Sequence, residues 1–264
     1  MKAAGTIREI EARLKHGGLP AEEIEQLLLD SRAGVRRLAL TYQRREERRR
    51  QEERRIEEMW QFERTYRQRG CRLIAGLDEA GRGPLAGPVV AAAVILPEDF
   101  DATGLNDSKK LTEQERLTLR QRIDRDAVAV AVGVADHRYI DEYNILQATF
   151  EAMRRAIAGL TVVPDQLLLD AVQIPGVTIP QEAIVKGDGL SHSIAAASIV
   201  AKTERDAWMA RESIRYPNYG FEQNMGYGTP DHLVALERWG PTPIHRKSFA
   251  PVRERIQAKS GGGR

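Results

Sequence analysis

The chain has one cysteine in 264 residues, Cys71. That excludes an internal disulfide and every zinc or iron–sulfur site that needs several thiolates, and Cys71 reads as a passive strand residue. No stretch reaches the ~20 consecutive apolar residues of a membrane-spanning helix, and the amino terminus lacks the charged-then-apolar pattern of a secretory signal. The expected setting is therefore cytoplasmic, with no membrane partner. The five histidines include no pair with metal-ligand spacing. No glycine-rich loop ending in Lys-Ser or Lys-Thr follows a strand, which argues against a P-loop enzyme. There is no internal repeat, and the one low-complexity stretch is the glycine-rich end, Gly261–Gly263, within a tail over 251–264 that is expected to be disordered.

What charge there is lies unevenly. Overall the formal net charge is only +2, but residues 1–70 carry 17 basic and 13 acidic side chains while the remainder is slightly acidic. Residues 1–70 read as a helical, Arg/Glu-rich extension. Thr6 with Glu9 makes a capping box and Gly17-Gly18 stops that first helix. Ile24, Leu27 and Leu28 mark a second helix after Pro20, and a long third helix is expected over 35–68 with Gly70 as its stop. Two roles stay open for this extension: a basic arm gripping nucleic acid, or a surface for packing and protein contact. The even alternation of Arg and Glu favours the second.

After Gly70 short β-rich runs alternate with helical patterns. Strands are expected at Leu73–Asp78, Val89–Leu96 and Val128–Ala135, consecutive and antiparallel, with shorter ones at Gln166–Asp170 and Ala183–Lys186. Helices are expected over Leu111–Asp124, opened by Thr112 with Glu115, over Tyr139–Leu160, and over Ser191–Tyr216. The order β-β-α-β-α-β-β-α describes an α/β sheet of mixed direction.

The chemistry concentrates where the first strand ends. Leu73-Ile-Ala-Gly-Leu77 delivers Asp78 and Glu79, then Gly81-Arg82-Gly83 and Pro84. Two adjacent carboxylates at the end of a buried strand are costly to desolvate unless a cation neutralises them. Glycines on both sides of Arg82 let backbone approach a ligand, and a guanidinium can fork onto phosphate. Alone, Asp78-Glu79 reads as an ordinary turn with Arg82 as its ion-pair partner. Asp170 and Asp188 each follow a further apolar run, and each alone reads as a strand-end or turn residue. Taken together, three strand ends present four carboxylates, a hard oxygen set suited to Mg²⁺ or Mn²⁺.

The string from Asp78 to Ala91, Asp-Glu-Ala-Gly-Arg-Gly-Pro-Leu-Ala-Gly-Pro-Val-Val-Ala, resembles the opening motif of the ribonuclease HII family. Lys186-Gly187-Asp188, followed by Ser193-Ile-Ala-Ala-Ala-Ser-Ile-Val-Ala-Lys202, resembles that family's later catalytic region. The resemblance covers about Cys71 to Phe249. It implies a ribonuclease H-like fold: a mixed β-sheet flanked by helices, here preceded by an all-helical N-terminal extension, with the catalytic domain over 71–250. It also implies that Asp78, Glu79, Asp170 and Asp188 form the metal-binding catalytic set, holding two Mg²⁺ or Mn²⁺ ions, and that Gly81, Arg82 and Gly83 contact the 2′-hydroxyl and phosphate at an RNA–DNA junction. Tyr227, within Gly226-Tyr-Gly-Thr-Pro230, resembles the family tyrosine that stacks on the adjoining deoxyribose; its plainer reading is a half-buried turn aromatic. Asn106-Asp-Ser-Lys-Lys-Leu111 resembles another signature, with Lys109 the expected phosphate contact and Asp107 a turn residue. Lys202 is a further phosphate candidate against a solvated helical lysine. His192 reads as the polar opening of a helix, and Asp206, His232 and His245 as structural or surface residues.

The implied activity is metal-dependent cleavage 5′ to ribonucleotides embedded in duplex DNA and of the RNA strand in RNA–DNA hybrids, serving ribonucleotide excision repair and primer removal. Arg82 between its glycines favours this family over its sister, ribonuclease HIII. A non-catalytic relative that binds nucleic acid would be expected to have lost a carboxylate, and all four are present. No sliding-clamp motif is evident over 253–264, and a monomer is expected.

Overall fold

The computed structural model describes residues 5–261. The chain divides into two compact units, 1–58 and 59–264, so the division falls twelve residues before the expected boundary at Gly70.

The first unit is three helices, α1 (Ile7–His16), α2 (Ala21–Leu28) and α3 (Ala33–Glu58). Thr6 and Glu9 cap each other's backbone N–H at the start of α1, and Gly17 leaves it at φ +76°. Ile10, Leu14, Leu27, Val35 and Ala39 are buried against one another, while buried Asp30 accepts from the Arg32 backbone at 2.8 Å and fixes the turn into α3. Past Tyr42 the third helix carries charge pairs such as Arg49 with Glu46 and Glu53, at 2.8 and 2.7 Å. Exposed pairs of this kind contribute only tenths of a kcal/mol each, roughly.

The expected helix over 35–68 is broken. It stops at Glu58, turns at Met59-Trp60 and resumes as α4 (Gln61–Gln68). Met59 and Trp60 are buried, and the Trp60 ring lies 4.7 Å from that of His192. Burial of two large apolar side chains outweighs the helix propensity of the Arg/Glu run around them.

The second unit continues with β1 (Ile74–Ala80), β2 (Val89–Ile95), α5 (Glu113–Asp126), β3 (Ala129–Ala135), α6 (His137–Tyr143), α7 (Ile145–Ala158), β4 (Gln166–Asp170), β5 (Gln181–Ile184), α8 (His192–Arg215), α9 (Phe221–Asn224), α10 (Pro230–Trp239) and α11 (Ala250–Gly261). Among the described residues the strands form one sheet in the order β3-β2-β1-β4-β5, antiparallel on the β3 side of β1 and parallel on the β4 side. The helix expected over 139–160 is two: Asn144, at φ +79°, ends α6, and its side chain accepts from Leu146 and Gln147 N–H to open α7. The tail expected to be disordered over 251–264 instead forms α11 through Gly261, anchored by fully buried Val252; Gly262 and Gly263 lie outside the described residues.

The two-residue period of a strand sorts β1 between two cores. Ala75 and Leu77 pack with Leu167, Leu169 and Met153 on the α7 side. Ile74 packs with Leu168 and Ile194 on the α8 side. Gly76 shares that face, and a Cβ there would stand 2.0 Å from the Ser193 carbonyl carbon, so α8 begins in direct contact with the strand. The next residue on the α8 face is Asp78.

Candidate active site

Asp78 ends the buried part of β1 and is 5% exposed. Its carboxylate accepts from the Glu79 N–H at 2.8 Å, and the Ser198 hydroxyl, two turns into α8, favours its charged form. The register pairs Leu77 with Leu169 in parallel, so Asp78 and Asp170 leave neighbouring strands at the same level. Both lie on the α8 face by the same alternation. Asp170 in turn accepts from Gly187 N–H at 2.8 Å.

That bond reaches the segment carrying Asp188, which does not stand at a strand end as expected. Strand β5 stops at Ile184, Lys186 turns the chain through a left-handed conformation at φ +60°, and Asp188 sits in a single 3-10 turn, Gly187–Gly189, just ahead of α8. Gly187 packs closely on α8: a Cβ there would lie 2.6 Å from Ile194 Cδ1, and that side chain would have to shift. The turn exists because α8 packs so closely, a tertiary cause that strand periodicity cannot reveal.

Burial raises Asp78 well above the usual 3.8, and the charges of Glu79 and Asp170 push it further. Glu79 is raised by burial and by Asp170, against the pull of Arg82, whose Nη1 is 3.3 Å away. Asp188 is raised by burial and by Asp107, against Lys109, whose Nζ is 3.5 Å from its Oδ2. Lys109 is itself raised: burial opposes its charge, but Asp188, Asp107 and Asp78 together outweigh burial. Four carboxylates thus face two cations, Arg82 and Lys109, both extending from solvent. Among the described residues no three His, Cys, Asp or Glu side chains form a ready-made cage for an ion. The donor set nevertheless fits a divalent cation that draws part of its shell from water and substrate: every donor is a carboxylate oxygen, and the buried like charges lack a full counterion.

The other candidates separate into two groups. Lys109 rides a 3-10 turn, Ser108–Lys110, N-capped by Asp107 at 3.0 Å and tied to α8 by Ser108 Oγ, 2.9 Å from Ser198 Oγ. Gly83 lies beside Tyr227, for a Cβ on Gly83 would meet the ring's Cε1 at 3.6 Å; Tyr227 is 45% exposed, open on one side. Lys202, by contrast, pairs with Asp206 at 2.7 Å. His192 opens α8 and is buried against Trp60.

Two residues that sequence reasoning passed over hold the glycine loop. Arg205 and Arg246 are 1% and 0% exposed. Arg246 donates to the carbonyls of Gly81 (2.5 Å), Arg82 (2.9 Å), Gly87 (2.9 Å) and Pro88 (3.1 Å). Arg205 donates to Pro88, Met225 and Ala86, and its guanidinium lies 5.9 Å from the Tyr227 ring centre. Burial lowers Arg246 to about 9, helped by repulsion from Arg205, and lowers Arg205 to about 10. Both remain cationic at neutral pH, compensated chiefly by the carbonyls they donate to, with Asp206 and Asp141 adding a weaker pull. Gly81 sits at φ +94° with the Arg205 Nε where its Cβ would be, 2.0 Å away. In sequence Glu204-Arg205-Asp206 and His245-Arg246-Lys247 look like surface polar stretches, and nothing in them signals burial.

Comparison with known proteins agrees over nearly the whole chain. The pattern of the ribonuclease HII family matches residues 75–252, and that of the ribonuclease HII N-terminal domain matches residues 6–67. A ribonuclease HII of Geobacillus kaustophilus is 49% identical over 253 residues, 96% of this chain and 97% of that protein. One of Enterococcus faecalis is 52% identical over 227 residues, 86% and 89% of the two. Among solved structures, the ribonuclease H2 of Pyrococcus horikoshii superposes with a TM-score of 0.60 at 25% identity, covering 70% of this chain and 98% of that one. The RNase HII solved in complex with PCNA from Archaeoglobus fulgidus gives 0.58 at 27% identity, covering 67% and 95%. With its motif, its mixed sheet and near-complete relatives in agreement, the chain belongs to the ribonuclease HII family of hydrolases acting on nucleic acid.

Proposed function

We propose that the chain is a divalent-metal-dependent endoribonuclease. It nicks duplex DNA on the 5′ side of an embedded ribonucleotide and cuts the RNA strand of RNA–DNA hybrids, leaving 3′-hydroxyl and 5′-phosphate ends. The observation that carries this reading is the parallel β1–β4 register, which sets Asp78 and Asp170 side by side on the α8 face next to the turn of Asp188. Asp78, Glu79, Asp170 and Asp188 would hold Mg²⁺ or Mn²⁺; when bound, the metal supplies activation of water and charge stabilisation at the leaving 3′ oxygen.

The chain's own groups orient the substrate. With the Gly81 and Arg82 carbonyls engaged by Arg246, the Gly81-Arg82-Gly83 segment offers a rigid backbone to the 2′-hydroxyl and phosphate, and the Arg82 guanidinium is free on its outer side to meet phosphate. The open face of Tyr227, beside Gly83, stacks on the neighbouring deoxyribose, where a 2′-hydroxyl would clash. Lys109 approaches the phosphate next to Asp188. Lys202 would have to leave Asp206 to do so. The proposed setting is a cytoplasmic monomer in ribonucleotide excision and primer removal; among the described residues no helix is long and apolar enough to cross a membrane.

The test is cleavage of a labelled DNA duplex carrying one ribonucleotide, with Mg²⁺ or Mn²⁺, against Asp78→Asn and an all-DNA duplex. One nick 5′ to the ribonucleotide, lost in the variant, is expected. Cleavage confined to long RNA runs would overturn the junction-specific reading.

A further inference from the structure

Behind Tyr227 lies a buried chain of side chains that the catalytic reading does not use. His232 and His245 are both fully buried, with their Nε2 atoms 3.0 Å apart. His245 Nδ1 is 2.9 Å from the backbone N–H of Thr242 and 2.8 Å from its hydroxyl. His232 Nδ1 is 2.8 Å from the Tyr227 carbonyl, which also accepts from Thr229 N–H at 2.8 Å.

These contacts allow one proton arrangement. A backbone N–H can only donate, so Nδ1 of His245 must accept, and its neutral ring carries the proton on Nε2. That proton points at His232 Nε2, which must therefore accept. The His232 proton is then on Nδ1, aimed at a carbonyl that can only accept. Every donor meets an acceptor, and any other tautomer of either ring sets two donors or two acceptors face to face. An added proton on His232 does the same at the Nε2 contact, and one on His245 does so at Nδ1 against the Thr242 N–H; in keeping with this, burial and the neighbouring His232 hold His245 down to about 3. Tyr219 and Phe221 pack around the rings, with Tyr219 5.4 Å from His245 and Phe221 5.4 Å from His232.

We propose that His232 and His245 are positioning residues for Tyr227: a tautomer-locked pair that fixes its main chain and thereby the plane of the ring it presents to the sugar beside the cleaved junction. The inference rests on the proposed stacking role of Tyr227. The other end of the residue is held independently, by Arg205 at the ring and by the bond from Tyr227 N–H to Asn224 O at 2.8 Å. With the backbone held at both the amide and the carbonyl, the ring needs little further ordering when substrate arrives.

The experiment has a spectroscopic arm and a kinetic arm. In the ¹⁵N-labelled full chain at neutral pH, long-range ¹H–¹⁵N correlation should show His232 protonated at Nδ1 and His245 at Nε2. His232→Leu should raise KM for a duplex with one ribonucleotide by about tenfold with kcat nearly unchanged, the mark of a lost ground-state interaction. His232→Asn, whose Nδ2 can occupy the place of the ring Nδ1, should recover most of that loss. Reversed tautomers, or an Asn variant no better than Leu, would overturn the proposal; if the Leu variant fails to fold, the tautomers of the wild type decide it. If Tyr227→Ala leaves KM unchanged, the stacking role falls, and with it the purpose given to the pair. If Tyr227→Ala raises KM while the tautomers are reversed, only the histidine pair is at fault.

Discussion

Arg246 donates through Nη2 to the carbonyl of Gly81 at 2.5 Å, joining positions 165 residues apart. The contact is one of four that this buried guanidinium makes to the loop between β1 and β2. Its planar fork matches that spread of carbonyls, whereas a lysine ammonium is a single point of charge. Arg246→Lys should therefore lower stability by about 2–4 kcal/mol and cut kcat/KM more than tenfold, because buried carbonyls lose charged donors worth roughly 1.5–3 kcal/mol each. Denaturant unfolding beside nicking kinetics measures both, and a variant with wild-type activity would show that the loop does not need this brace.

Gly81 is the other half of that relationship. Its φ of +94° disfavours any side chain, and a methyl group would be driven into Arg205. Gly81→Ala should displace Arg205 from Pro88 and reduce activity more than tenfold, with a stability cost on the order of 1–3 kcal/mol for the strained backbone. Thermal unfolding and cleavage of the ribonucleotide-bearing duplex test it; an unaffected enzyme would contradict the close packing.

The metal-free protein should depend on pH through Asp78 and Glu79. Both are raised above their usual 3.8 and 4.5, chiefly by burial. A carboxylate raised on folding favours the folded state only while protonated. Its contribution is complete below the unfolded values and is lost as pH climbs through the raised ones. Stability in a chelator should accordingly fall from about pH 4 towards neutrality at these groups. Asp78→Asn should recover on the order of 1 kcal/mol at pH 7.5 while abolishing nicking, since each tenfold change in proton affinity on folding corresponds to about 1.4 kcal/mol. Melting curves of both proteins across pH, with and without Mg²⁺, check it; a variant less stable than wild type at pH 7.5 would reverse the assigned sign.

Glu63 of α4 is a cap supplied from a distant part of the chain. Its Oε1 accepts from Ser191 Oγ at 2.7 Å and from Ser193 N–H at 2.9 Å, closing the first turn of α8 that rests on Gly76. Glu63→Ala should cost about 1–2 kcal/mol, the range for a lost N-cap. A chain beginning at Met59 keeps this residue and should nick the ribonucleotide-bearing duplex, whereas one beginning at Gly70 should be far less stable. Equal stability of the two truncations would remove α4 from the catalytic unit.

The positions of the carboxylates on β1 and β4 were legible in the sequence because strands announce themselves by period and by the turns that end them. The run from Leu73 to Leu77 located Asp78, and Leu167 to Leu169 located Asp170. Helix starts were equally plain at Thr6 and Thr112, where two residues three apart satisfy each other's backbone. The break at Met59-Trp60 was not, since a charged run has no local reason to turn; His192, more than a hundred residues away, provides one. Nor was the place of Asp188, because the 3-10 turn that carries it depends on how closely α8 packs.

By itself the sequence determined which side chains exist, the two-residue alternation that assigns them to faces, and the glycines where backbone must come close. Tertiary structure alone decided which polar groups are buried. Arg205, Arg246, His232 and His245 look like surface residues until distant carbonyls and rings close around them, because burial is a sum over the whole fold and no short window contains it.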